Sequence, residues 1–300
     1  EKGDLLGAIK LYDKAIALTK NFPEAEYQKG TAYLALNKFD EAETAFRKSV
    51  KDRPEWSLAL AMLGDVLVRK QIAAAETGNT QESKRLSTEA TESLSKAIEL
   101  DANNFPAYAA LVDLQLHSAS SNKMLIDTLV KLRGLTDGKM KVPASIWSAR
   151  AALEYAVGDK ALARACLKNA LAADPKNTNA IKFAAELALT DSDTEQAAMY
   201  TDTLVKLAPN QISTIVLQAR VAAAQGKPDI ALQQLELIKV KSAEAESLRT
   251  SISASASKDT AKLEELVAKE PKNASYLGRL CVLNRIDAPD KALDFCRRAS

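Results

Sequence analysis

The chain has 300 residues, in which 41 Lys and Arg oppose 39 Asp and Glu for a formal net charge of +2. The two signs are interspersed, so no basic stripe supplies the concentrated charge that nucleic-acid phosphates require, and no run of about 18 apolar residues offers a membrane span. Ala, Leu, Lys and Glu dominate, with only ten glycines and nine prolines to interrupt them, which predicts an all-α protein.

Residues 1–20 read as one helix, the second half of a pair. From Ala25 the pattern becomes regular: an apolar run AEYQKGTAYLAL (25–36), a polar break at Asn37-Lys38, and a second helical run within NKFDEAETAFRKSVKDRPEW (37–56). The same succession returns as IWSARAALEYAV (146–157), broken at Gly158-Asp159 before GDKALARACLKNALAADPKN (158–177). It returns again as AIKFAAELAL (180–189), broken at Asp191-Ser192-Asp193 before DTEQAAMYTDTLVKLAPN (193–210). Aligned on their prolines, these stretches superimpose Ala42, Ala163 and Ala197, and 34 residues separate both Pro175 from Pro209 and Ala8 from Ala42. Each unit is therefore a helix, a tight turn, a second helix and a Pro-marked turn into the next.

This pattern resembles the tetratricopeptide repeat (TPR) along nearly the whole chain. A small residue stands at the eighth place (Gly30, Gly64, Ala151, Ala185, Ala219) and another at the twentieth (Ala8, Ala42, Ala90, Ala163, Ala197, Ala231, Ala292). A large residue such as Phe46, Leu94, Leu167 or Leu235 follows at the twenty-fourth, and proline at the thirty-second (Pro54, Pro175, Pro209, Pro271). The resemblance implies a right-handed superhelix of antiparallel helix pairs, about nine full or partial repeats. Elementary packing gives the same answer. Small side chains let two helices approach, large ones fill the seam to the next unit, and a lone hairpin cannot cover its own apolar face.

Departures from the pattern divide the chain. In the third unit Gly64 and Ala90 lie 26 residues apart, where the family spacing is 12. Seven extra residues on each helix would keep both inward faces in phase, with Thr77-Gly78-Asn79-Thr80 as the turn of a hairpin projecting about 10 Å. In the fourth unit a helix over Lys123–Arg133 is expected to stop at Gly134. The expected organisation is an N-terminal array over 1–134, an irregular linker or bend over 135–143, and a C-terminal array over 144–300. The eighth unit is expected to begin with a short Ser-rich helix. Because both ends fall within units, the native protein is expected to continue in both directions.

Little in the sequence points to catalysis, and a non-enzymatic protein without cofactor or metal is expected. His117 is the sole histidine, with no nucleophile at a recognisable spacing. Gly3-Asp4, Gly158-Asp159 and Gly226-Lys227 read as inter-helix turns, since none builds a phosphate loop. Glu264-Glu265 are helix neighbours that do not face one another. Cys166, Cys281 and Cys296 are too few for a disulfide framework or zinc site. Cys281 and Cys296, on helices of one unit, read as two buried thiols, with a disulfide as the alternative for an exported protein.

The resemblance further implies that first helices of successive units line a concave groove for a peptide or protein segment. Carried over place by place, the groove comprises Tyr27, Thr31, Leu34, Leu58, Met62, Asp65 and Val68, then Ser148 and Tyr155. Asn179, Lys182, Phe183, Glu186, Leu189, Val216, Leu217 and Arg220 continue it. The places where one TPR subtype clamps a chaperone-tail carboxylate hold Tyr27, Thr31, Met62, Pro106 and Ala110, or in a later frame Ser148, Ala152, Phe183, Ser213 and Leu217. Neither set can fork a carboxylate. The expectation is a scaffold for an apolar or amphipathic protein segment, in the cytoplasm or in a bacterial periplasm or cell envelope, with no nucleic-acid partner. The alternatives are the TPR region of a larger enzyme, such as a glycosyltransferase, or of an envelope protein serving secretion or polysaccharide assembly.

Overall fold

The computed structural model describes residues 4–19, 21–118, 120–138, 141–239, 242–256, 260–285 and 288–299. Among these the chain forms helices and no strand. In the first of two compact units, Glu1–Ala180, lie α1 (Leu5–Leu18), α2 (Pro23–Ala35), α3 (Phe39–Asp52), α4 (Ser57–Glu76), α5 (Thr80–Leu100), α6 (Phe105–His117), α7 (Asn122–Thr136), α8 (Ala144–Ala156) and α9 (Lys160–Ala173). The second unit, Ile181–Ser300, begins in the first turn of α10 (Thr178–Thr190). It continues with α11 (Thr194–Leu207), α12 (Ile212–Ala224), α13 (Pro228–Glu236), α14 (Ala243–Ala256), α15 (Thr260–Lys269), α16 (Ala274–Leu283) and α17 (Pro289–Ala299). The stretch 135–143 lies inside the first unit, where α6 and α7 both pack on α8; residues 139 and 140 fall outside the described ones. Gly3 does too.

Consecutive helices pair through tight turns, as in α2–α3, α4–α5, α8–α9, α12–α13 and α16–α17. The turns need a backbone that reverses within two or three residues, and a residue in the left-handed region does this at Asn37, Gly78, Gly158, Ser192 and Gly226. A cap then opens the second helix. The side chains of Asn79, Asp159 and Asp193 accept from the amides of Glu82, Leu162 and Gln196, satisfying donors that have no partner within the helix. At the far end the helix stops two residues before Pro54, Pro175, Pro209 and Pro271.

Small residues sit where helices touch. Ala42, Ala90, Ala163, Ala197 and Ala231 are wholly buried, as are Ala151, Ala185 and Ala219. At Gly30 a methyl group would fall 2.8 Å from the Phe46 ring, and at Gly64 it would fall 2.5 Å from Leu94. The glycines therefore set how closely α2 meets α3 and α4 meets α5. In the third hairpin α4 has 20 residues and α5 has 21, against 13 and 14 in α2 and α3, seven more on each arm. The turn between them carries Gly78 at φ 76°.

Three expectations are corrected. First, α7 runs through Gly134 to Thr136: Leu132 and Thr136 are buried, and the Thr136 hydroxyl donates to the Leu132 carbonyl at 2.7 Å. Packing on α8 holds the last turn, against a glycine penalty of only about 1 kcal/mol. An ionic cluster reinforces it. Glu154, fully buried, accepts from Arg133 at 2.9 and 2.5 Å and from Arg150 at 3.1 Å, while Arg150 also donates to Asp137 and Thr136. Second, α14 is a full 14-residue helix, anchored by buried Ala245, Ile252 and Ala254, with Ser251 half-buried and Ser247, Ser253 and Ser255 exposed. Third, Cys281 and Cys296 are disulfide-bonded across α16 and α17, with Cα atoms 5.1 Å apart, and neither is fully buried. Cys166 is the buried thiol, its pKa pushed up to about 11, first by desolvation.

Candidate interaction groove

In the first unit α2, α4, α6 and α8 are the leading helices of their hairpins, with α4 on α6 and α6 on α8. Among the residues expected to line a groove here, Tyr27 is half-buried between Phe46 and Trp56, with ring centroids 5.7 and 4.8 Å away. Burial raises its phenol pKa. Leu34 and Met62 are partly covered against the core, and Val68, only 2% exposed, lies inside it. Thr31 and Leu58 face solvent, the Thr31 hydroxyl donating to the Tyr27 carbonyl. Asp65 accepts from Arg69 Nε at 2.9 Å. Ser148 donates to the Ala144 carbonyl, and Tyr155 is half-buried. This surface is largely occupied with its own packing.

Asn179 is exposed in the first turn of α10. In the second unit, α10 and α12 present Lys182, Phe183, Glu186, Leu189 and Arg220, all half-buried. Lys182 Nζ and Arg220 Nη1 lie 3.8 and 3.9 Å from Glu186 Oε1, a loose arrangement that leaves the guanidinium donors to spare. Val216 and Leu217 are 2% and 1% exposed and belong to the core.

Beyond Arg220, α12 packs on α14 and α14 on α16. Between them is a cleft of about 490 Å³ lined by Leu189, Arg220, Leu248, Ser251, Ile252 and Ser275, with Ala223, Ala224 and Gly226 keeping its wall low. An apolar floor, three hydroxyls counting Ser255 and a single cation suit a segment that presents aliphatic side chains and a carbonyl or carboxylate acceptor. Leu189 and Arg220 were legible as lining residues, whereas Leu248, Ser251, Ile252 and Ser275 were not. The Ser-rich composition of α14 hid its register; the four-residue step from Leu248 to Ile252 was the available signal.

Residues 1–65 match the tetratricopeptide repeat family model. A comparison with curated proteins gives no match. Among solved structures the chain is similar to human IFIT1, solved as a dimer with m7Gppp-AAAA, at 14% identity and TM-score 0.67, over 93% of this chain and 71% of that one. It is similar to TTC0263, a TPR protein of Thermus thermophilus, at 20% identity and TM-score 0.54, over 68% of this chain and 99% of that one. PilF of Pseudomonas aeruginosa matches at 17% identity and TM-score 0.52, over 76% of this chain and 96% of that one. At these identities what is shared is the fold. The chain thus carries the tetratricopeptide-repeat signature over its first 65 residues, and the hairpin packing of that fold is repeated through both units.

Proposed function

We propose that the protein is a non-catalytic interaction scaffold that takes up an apolar or amphipathic protein segment in the cleft formed by α12, α14 and α16. The observation that carries this reading is the cleft itself. It is lined from successive leading helices, by the half-buried Arg220 and Leu189 and by the apolar Leu248 and Ile252. Such a surface binds by side-chain insertion, with one charge-assisted hydrogen bond fixing register. A photo-crosslinking residue in place of Leu248 should join a partner segment, and Arg220→Ala, at a side chain 39% exposed in a loose 3.9 Å ion pair, should weaken the crosslink with little change in the thermal midpoint. Equal crosslinking from Lys206, which is exposed on the second helix of its hairpin, would overturn the proposal.

A second reading concerns the compartment, and the disulfide favours it. A Cys281–Cys296 bridge persists in oxidising surroundings such as a periplasm or cell envelope and is reduced in the cytosol of most mesophiles. Alkylation of protein taken directly from its native cells, without reductant, should leave both cysteines unmodified until reducing agent is added. Full modification before reduction would reject the envelope assignment while leaving the scaffold reading intact.

A further inference from the structure

Within the first unit the second helices of the hairpins turn different faces to solvent. On α3 the exposed side chains are polar, as at Thr44, Lys48 and Lys51, and on α5 so are Thr88, Glu92 and Lys96. On α7 the exposed residues include Ile126, Val130 and Gly134, one turn apart, with the two apolar side chains 48% and 59% exposed. A methyl group at Gly134 would meet no heavy atom within 4 Å, so the stripe ends in an open notch. Side chains at this spacing form one continuous strip, unlike singly scattered apolar residues.

The charges beside the strip have no partner within the chain. Lys123, Asp127 and Lys131 are exposed and, among the described residues, none of them forms an ion pair. Asp137 accepts from Arg150 through Oδ1, and its side chain is 64% exposed. These residues are placed symmetrically about Val130: Ile126 and Gly134 four residues to either side, Lys123 and Asp137 seven. Steps of four and seven residues return to nearly the same face of a helix.

A second α7 laid antiparallel, with a twofold axis at Val130, sets Val130 against its copy and Ile126 beside the notch at Gly134. The same register sets Lys123 level with Asp137. It also brings Asp127 and Lys131 together on one flank, with an axial offset of about 3 Å that a lysine side chain spans. Bulk thus meets vacancy and each charge meets its opposite in a single arrangement. A parallel pair in register would instead put every residue level with its own copy, so that like charges meet.

We propose that α7 is a self-association surface, on which a second copy of this chain docks antiparallel about Val130. The contact is one helix against one helix and falls short of the about 1,000 Å² of a durable interface, so the dimer is reversible, with a dissociation constant of about 10–500 µM. The surface belongs to the first unit and rests on nothing proposed for the groove.

Sedimentation equilibrium of the full chain from about 5 µM to about 1 mM brackets that range and should show a monomer–dimer equilibrium. Val130→Asp should weaken it by about tenfold or more while leaving the thermal midpoint in place, since Val130 is exposed. Asp127→Lys and Lys131→Asp should each dissociate the dimer alone, and mixing the two variants should restore association, because each then supplies the charges that the other lacks. Under mild oxidant, Val130→Cys should crosslink to itself, and Lys123→Cys should crosslink to Asp137→Cys but not to itself. A monomer at every concentration would overturn the proposal. So would a dimer that Val130→Asp leaves intact, mixed charge variants that stay apart, or Lys123→Cys joining its own copy.

Discussion

Replacing Gly64 with alanine tests the packing rule on which the fold rests. In an isolated helix the change stabilises, because alanine exceeds glycine in helix propensity by about 1 kcal/mol. Here the new methyl group would lie 2.5 Å from both Cγ and Cδ2 of Leu94, itself fully buried. Cγ is a branch point and cannot swing aside unless the whole side chain changes rotamer in a filled seam. Overpacking of this kind costs about 1–3 kcal/mol, and more when a branch atom is struck, so after subtracting the propensity gain the expected net destabilisation is about 1–2 kcal/mol. Gly134→Ala is the control: that glycine is helical, yet no heavy atom lies within 4 Å of the methyl position. It should stabilise by about 0.5–1 kcal/mol. Urea denaturation followed by far-ultraviolet circular dichroism compares the midpoints, and hydrogen exchange in α4 and α5 shows whether the loss is local. In a double-mutant cycle with Leu94→Ala, which alone should cost about 2–5 kcal/mol, the combined loss should fall short of the sum by about 1 kcal/mol or more. A rise in midpoint for Gly64→Ala equal to that of Gly134→Ala would refute the claim that α4 and α5 meet at the limit of approach.

Other consequences are as direct. Glu154→Ala leaves Arg133 and Arg150 without their shared carboxylate and should cost about 3 kcal/mol, the low end of the range for a broken buried pair because Arg133 is 41% exposed. Burial alone would raise the Glu154 pKa, but hydrogen bonds from Arg133 and Arg150 outweigh it and hold the carboxyl below its ordinary 4.5. Its contribution is therefore complete above that value and is lost as the pH falls through the lowered folded-state pKa, so Glu154→Gln should flatten this acid limb in urea midpoints measured downward from neutral pH. Reduction of Cys281–Cys296, which closes a separation of 15 residues, should destabilise the α16–α17 hairpin by about 3 kcal/mol, read as faster exchange of its amides. Gly78→Ala forces a methyl group onto a φ of 76° and should cost about 1 kcal/mol in thermal or urea unfolding.

The hairpin architecture was legible because its determinants are local and repeated. Ala163 and Ala197 recur at one spacing since each stands at the same contact between helices, and Pro175 and Pro209 mark the same exit. The lengthening of α4 and α5 could be divided correctly because only equal additions to the two arms preserve their facing stripes. Tertiary partners decided what was misread. The end of α7 depends on Arg133 reaching Glu154, 21 residues away, which no local rule about glycine contains. The groove was only partly legible for a related reason: periodicity gives the face of a helix but not how deeply the next helix covers it, so Val68, Val216 and Leu217 passed as lining residues until their neighbours were in place.

The matched arms of the third hairpin have one more implication. Seven residues make almost two full turns of helix, so an insertion of that size turns a side chain by only about 20° from its former heading. A repeat can consequently grow or shrink in paired two-turn increments while its neighbours keep their footing. Excising seven residues from α4 together with seven from α5 should give a shorter arm with the same base, whereas a five-residue cut on either side would rotate the inward stripe toward water. Reach in this architecture is thus an adjustable quantity, separable from the foundations beneath it.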